Sequence, residues 1–311
     1  KMNKIGLLFG AESAFSLDIM NYINEMGVPD IIAEEVKVGI TTINRPVEYK
    51  VIFDRFSSVV PFYSSALKYW EACGTKVINN PFWKCADDDF LHHAIALRFG
   101  IRTPRTALIP SKQVPKGFAP DDMRNLEYPL NWDEMFEYVG FPAFLKPNSS
   151  VGIINEYKVY NKHEFFSAYD LTGESTMILQ QCIDWDAYYR VYTIGDNEII
   201  IMNYNPTKPI HMRYSPEEPK IDSELYQEIK ETALKISNGL GSEFNTVEFA
   251  LKHNVPYVTE FNAYNTMIEK SILCEENYYK LLKSVSAFLV ETAKKQTNTH
   301  RIYSWSKFMK S

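Results

Sequence analysis

Residues 245–265 read NTVEFALKHNVPYVTEFNAYN, and the reading of this stretch decides the fold. Alternating β-branched and aromatic residues flank the polar, turn-prone Lys252, His253 and Asn254, which predicts two short strands joined by a turn. Side chains alternate faces along a strand, so Glu260 and Asn262 point the same way, and Glu248 on the paired strand can be brought opposite them. Two carboxylates and a carboxamide on one face are costly unless something positive sits there. Hard oxygen donors of this kind suit Mg²⁺ held partly by nucleotide phosphates; a solvated outer face is the alternative that spacing leaves open.

Working outward, residues 222–240 form the clearest predicted helix, with Leu225, Ile229, Ala233, Ile236 and Leu240 on one face and Gly239 and Gly241 at its end. Before it, MILQQCI (177–183), YYRVYTI (188–194) and residues 198–203 read as strands, the last two joined at Asp196 and Asn197, which implies an antiparallel sheet. Residues 205–219 hold four prolines and read as an exposed loop carrying Arg213. FLKP (144–147) puts a lysine at a strand end, and Asn148, Ser149, Ser150, Val151 and Gly152 after it suit a flap whose backbone amides approach phosphates. In the first hundred residues KIGLLFG (4–10), VIFDR (51–55) and KVI (76–78) alternate with helices over 13–26 and 62–73, the pattern of a helix-covered parallel sheet. Ser13 is the expected cap of the first helix, and Asp87, Asp88 and Asp89 open another that runs to Arg98. Thr103 and Pro104 mark a crossing between domains, and a last helix spans about 277–294.

The 311 residues suggest two or three domains, and 45% hydrophobic with 23% charged residues is ordinary for a globular protein. A net charge of -6 with dispersed Lys and Arg argues against nucleic acid or a membrane surface as partner. Short apolar runs and no signal-like segment make the cytoplasm the expected location. Four separated cysteines, Cys73, Cys85, Cys182 and Cys274, fit reduced thiols, and the adjacent His92 and His93 are not spaced as a ligand pair.

The order FLKP, a small-residue flap, LQQCI, YYRVYTIG, a capped helix, TVEFA and VTEFN resembles the ATP-grasp superfamily of carboxylate-amine ligases, nearest its RimK-like and glutathione-synthetase-like branch. VIFDR, VPFYSSALK and VINNPFWKCADDDF extend the likeness to a bacterial group of such proteins. The resemblance implies an α+β ATP-grasp fold: an N-terminal parallel α/β domain (residues 1–105), a central lid subdomain (106–184), a C-terminal subdomain (185–296) and a tail (297–311). The two α+β subdomains, with antiparallel sheets, would clasp ATP. It also implies that Lys146 contacts phosphates with Ser149, Ser150 and Gly152. Gln180, Gln181, Cys182, Ile183 and Asp186 would then line the nucleotide, Arg190 and Arg213 act in catalysis, and Glu248, Glu260 and Asn262 hold Mg²⁺. Arg55, Arg213 and Tyr264 are candidate substrate contacts.

This chain departs from the family pattern. Relatives usually carry a lysine at Asp89, a glycine triplet at Ser150, Val151 and Gly152, an acid at Gln181 and a proline at Ala263. One cation is lost, one anion gained, and Val151 stiffens the flap. Asp89 is expected either to have its charge met by a cation such as Lys84 or Arg98, or to turn outward as a helix cap. The expected function is an ATP- and Mg²⁺-dependent ligase that joins a small carboxylate to an amine or peptide through an acyl phosphate. The alternative is a protein that binds nucleotide or a partner without normal turnover, and a homodimer is left open.

Overall fold

A computed structural model describes residues 2–43, 46–86, 88–149, 156–263 and 267–295, with backbone alone at 84–86. The chain begins β1 (Asn3–Leu8), α1 (Ala14–Glu25), β2 (Ile31–Glu35), β3 (Tyr49–Asp54), α2 (Pro61–Ala72) and β4 (Lys76–Ile78). Next come α3 (Asp89–Arg98), β5 (Thr106–Ile109), α4 (Trp132–Val139), β6 (Ala143–Pro147), β7 (Tyr157–Val159), α5 (Lys162–Tyr169) and β8 (Met177–Gln181). It closes with β9 (Ala187–Ile194), β10 (Glu198–Asn203), α6 (Ser223–Leu240), β11 (Phe244–Lys252), β12 (Val255–Asn262), α7 (Lys270–Leu273) and α8 (Glu275–Lys294).

The predicted hairpin is β11 and β12. His253 and Asn254 both have positive φ, 51° and 62°, which a two-residue type I′ connection requires and which Asn tolerates better than most residues. All five residues expected on the apolar face of α6 are buried. Asp222 accepts from Leu225 N–H at its start, and Gly241, at φ 70°, ends it in the left-handed conformation.

The chain divides into two compact units. The first comprises Lys1–Cys85, Tyr188–Phe249 and Phe261–Ser311; the second comprises Ala86–Ala187 and Ala250–Glu260. The expected N-terminal and C-terminal domains fall chiefly in the first, and the expected lid in the second. A parallel sheet ordered β2-β1-β3-β4 lies in the first unit, and β10-β9-β11-β12 form a second sheet in which β9 and β10 are antiparallel. Ile5, Leu7 and Phe53 of the parallel sheet share one core with Tyr192 and Met202 and with Leu281, Val285 and Leu289 of α8. Asn79, just past β4, joins these parts. Its Nδ2 donates to Phe244 O (2.7 Å) and Ala263 O (3.1 Å), and its Oδ1 accepts from the N–H groups of Glu243 and Phe244 (2.9 Å each). The second unit holds the antiparallel sheet β5-β8-β6-β7, whose core is Leu145, Leu179, Val159 and the rings of Phe136 and Phe165.

Three local expectations change. β2, with one fully buried residue in IIAEE, has too little alternation to read as a strand, yet it flanks β1. β5 occupies part of the stretch read as a crossing, because its pairing with β8 overrides the Thr-Pro signal. Ser13 sits at the α1 N-cap but makes no capping bond; its φ and ψ of -104° and -22° lie in the helical region, not the extended one a capping side chain uses. No described helix is long and apolar enough to cross a membrane. Ser150, Val151, Gly152, Tyr264 and the tail from 297 lie outside the described residues, as does the side chain of Lys84.

Candidate active site

Within the second unit, β6 delivers Lys146 to a buried position, its side chain 9% exposed. Its Nζ lies 3.7 Å from Asp89 Oδ2, in the first turn of α3. A cation thus meets the charge of Asp89, as one alternative expected, though through a lysine not named for it, and the outward cap is corrected. The cap of α3 is Asp88, which accepts from Leu91 N–H, and the cation beside Asp89 is Lys146 rather than Arg98. Burial pushes the Asp89 carboxyl above the usual carboxylate range, an effect that Lys146 only partly offsets. Asn148 ties the start of the flap to the same helix end: its Oδ1 accepts from Phe90 N–H, its Nδ2 donates to Asp88 Oδ2, and its carbonyl accepts from Asp89 N–H.

The end of β8 carries the residues expected to meet the base. Gln181 N–H donates to Arg105 O and Cys182 N–H to Pro142 O, so both are spent on the fold. Ile183 N–H has no partner among the described residues, which leaves a backbone donor next to them. Asp186 is held by the hairpin turn, its N–H donating to Leu251 O and its Oδ2 accepting from His253 N–H. Gln180 is buried, with its side chain against His93.

In the first unit Arg190 is the centre of a polar cluster. Its Nε donates to Glu248 Oε1 (2.9 Å), joined there by Nη2. Nη1 donates to Tyr214 OH (2.9 Å), and Nη2 donates also to Tyr204 OH (2.8 Å). Tyr204 also accepts from Arg213 Nη1 (3.1 Å), and its ring centre lies 4.0 Å from the Arg190 guanidinium carbon. The structure thus brings together Arg190, Arg213 and Glu248, three residues singled out from sequence. Burial pushes the Tyr192, Tyr204 and Tyr214 phenols up, so they remain neutral hydrogen-bonding groups around the cation. Sequence gave no sign of the tyrosines, because Tyr204 and Tyr214 meet through a bridge across a loop. Arg55 is buried 3.8 Å from Glu12, with its guanidinium 6.0 Å from the Phe244 ring centre.

Glu248 is buried, its Oε2 accepting from Tyr188 OH (2.6 Å) while Oε1 faces Arg190. Glu248, Glu260 and Asn262 offer carboxylate and carboxamide oxygens, a donor chemistry that fits a hard cation. Among the described residues no three of His, Cys, Asp and Glu cluster as metal ligands. An unbroken ladder from the two-residue turn would set Glu248 opposite Thr259, leaving Glu260 and Asn262 on the other face. The buried residues of β12 are Pro256, Val258 and then Phe261, so its burial does not alternate strictly along the strand.

No family model matches the chain. The D-alanine–D-alanine ligase A of Bacillus cereus is 28% identical over 195 residues, a match covering 54% of this chain and 60% of that protein. The solved ATP-grasp ligase PsnB, studied with a minimal precursor, superposes with a TM-score of 0.67 over 94% of this chain and 100% of its own, at 14% identity. PsnB has also been solved with Mg and ADP and with a precursor peptide and AMPPNP. A RimK-domain ATP-grasp protein from Sphaerobacter thermophilus gives 0.61 over 94% and 100% at 15% identity. With one parallel and two antiparallel sheets matching those structures over nearly its whole length, this chain has the ATP-grasp fold.

Proposed function

We propose that this chain is an ATP- and Mg²⁺-dependent carboxylate-amine ligase. The observation that carries the reading is Arg190, a guanidinium fixed by Glu248, Tyr204 and Tyr214 in a fold shared with ligases. Phosphoryl transfer needs positioning and charge neutralisation more than covalent help, and a guanidinium whose hydrogen bonds are already made loses little freedom when it meets an anion. Lys146 meets phosphate oxygens, with Ser149, Ser150 and Gly152 covering them. Ile183 N–H meets the base, beside Gln180, Gln181, Cys182 and Asp186. Glu248, Glu260 and Asn262 would hold Mg²⁺, which neutralises phosphate charge when bound. Arg190 faces the transferred phosphoryl group, and Arg213 orients the acid. Arg55 and Tyr264 are further candidates for the substrate. The acid oxygen takes the γ-phosphoryl group and ADP leaves; the amine then displaces phosphate to give an amide. The acid is a small molecule or a peptide side chain, and the reaction belongs in the cytoplasm.

Incubation with ATP, Mg²⁺, pooled acids and hydroxylamine tests this. Formation of a hydroxamate together with ADP is expected. ADP formation that needs neither acid nor amine, or a stable phosphorylated product, overturns the ligase reading. A second reading, nucleotide binding without turnover, is favoured by the pairing of Lys146 with Asp89, which opposes the triphosphate. Binding of ATP with no acid-dependent phosphate release would select it.

A further inference from the structure

His93 and Gln180 form part of a chain of hydrogen bonds inside the second unit whose direction can be worked out atom by atom. Thr103 Oγ1 donates to Val258 O at 3.1 Å. With its one proton used, the same oxygen accepts from His93, so His93 Nδ1 carries the hydrogen. Burial, with Lys146 and His92 nearby, holds His93 well below the ordinary histidine range, so the ring is neutral and Nε2 is bare. A bare ring nitrogen needs a donor. The Gln180 amide atom 2.6 Å away must therefore be its NH₂ group.

A second constraint gives the same answer independently. Thr106, directly across the β5/β8 ladder from Gln180, donates its hydroxyl proton to Pro104 O at 2.9 Å. Its oxygen can then only accept from Gln180, and the same NH₂ group lies 3.4 Å from it. Both N–H bonds of Gln180 are thereby directed at protein. Its amide oxygen has no partner among the described residues, and it is not among the fully enclosed polar atoms. Gln180 is held with an acceptor as its one open group.

We propose that the Thr103–His93–Gln180 relay sets the base selectivity of this chain by presenting a fixed hydrogen-bond acceptor to the base. The inference rests on the nucleotide-binding reading above, which places a base beside Gln180 and Ile183. A fixed acceptor pairs with the 6-amino group of adenine. It opposes the 6-oxo group of hypoxanthine or guanine, where two acceptors face each other in a buried place. An unconstrained glutamine would discriminate poorly, since its amide can rotate to offer either group. His93 and Thr103 are positioning residues here; they need not touch the nucleotide.

The test is equilibrium binding of Mg·ATP and Mg·ITP to the full chain and to Thr103→Val, His93→Leu and Gln180→Leu. The wild type is expected to favour ATP by about tenfold or more. Gln180→Leu should weaken ATP by about tenfold and leave ITP within about twofold. Thr103→Val, which keeps the shape, and His93→Leu should bring the two affinities within about threefold, with ITP gaining. General damage to the fold would weaken both nucleotides alike and leave their ratio intact, and melting curves show which variants fold. A wild type without preference, or a ratio unchanged in Gln180→Leu and Thr103→Val, overturns the relay alone. A wild type that binds neither nucleotide overturns the nucleotide reading and the relay together.

Discussion

Lys146 Nζ and Asp89 Oδ2 stand 3.7 Å apart, with side chains only 9% and 12% exposed. A cation expected to serve a nucleotide is thus already facing an anion of its own chain. Replacing the carboxylate should release it. Asp89→Asn is expected to tighten ATP binding on the order of tenfold, since one buried charge that opposes phosphate disappears. Asp89→Lys should tighten it further while lowering apo stability, because two ammonium groups then share the site. Calorimetric titration checks both, and affinities equal to wild type would show that the pair does not face the nucleotide.

The same carboxylate predicts a pH dependence. Burial raises the Asp89 pKa in the folded state, so as pH falls from neutrality toward the usual carboxylate range, Asp89 protonates before ordinary aspartates do. ATP affinity relative to Asp89→Asn should therefore rise on acidification, and the stability contributed by the raised pKa is lost as pH rises through it. The comparison with the asparagine variant cancels the titration of ATP itself. A flat ratio from neutral to acid pH would contradict the assignment.

Lys146→Ala strands Asp89 in a buried place without its cation, which typically costs about 3 to 5 kcal/mol. Adding Asp89→Asn should recover most of that stability without restoring nucleotide affinity. Denaturant unfolding and ATP titration on the two singles and the double separate these effects. Full recovery of ATP binding in the double variant would remove Lys146 from the phosphate role.

Tyr204→Phe keeps the ring over Arg190 and removes the oxygen that accepts from Arg190 and Arg213. Stability should fall by about 1 to 2 kcal/mol, the scale of hydrogen bonds to charged groups. If Arg190 acts on the transferred phosphoryl group, kcat for phosphate release should drop by about tenfold or more while ATP affinity changes less. An unchanged kcat would make the tyrosine a scaffold only.

For the metal, Glu260→Gln removes a formal charge from the oxygen set with little change in shape. Mg²⁺-dependent nucleotide binding should weaken by about tenfold, with Mg²⁺-independent binding unaffected. Titrations with and without Mg²⁺ provide the check, and an unaltered Mg²⁺ dependence would place the cation elsewhere.

Much of the scaffold was readable because its signals are local. The apolar face of α6, its acidic cap and its terminal glycine all lie within twenty residues, and so does the hairpin turn at His253 and Asn254. Reading failed where long-range pairing outweighs local pattern, as in β2 and β5. In the candidate site the cations were legible as residue types, but their partners were not. Asp89 and Lys146 are 57 positions apart, and no spacing rule connects them. Counting alone misleads at the hairpin as well: strict alternation from its two-residue turn argues against the very set of oxygens that the resemblance implied.

Asn79 has a consequence for how the protein is made. Its side chain bonds to backbone groups 164 to 184 residues further along the chain. During synthesis the parallel sheet can be complete in sequence long before those partners leave the ribosome, and until then a carboxamide destined for burial has only water to bond. The first unit closes only after residue 263 has emerged, whereas most of the second is one continuous segment. The nascent chain should therefore gain protease resistance in the second unit first, with the N-terminal sheet protected late, despite having been translated earliest.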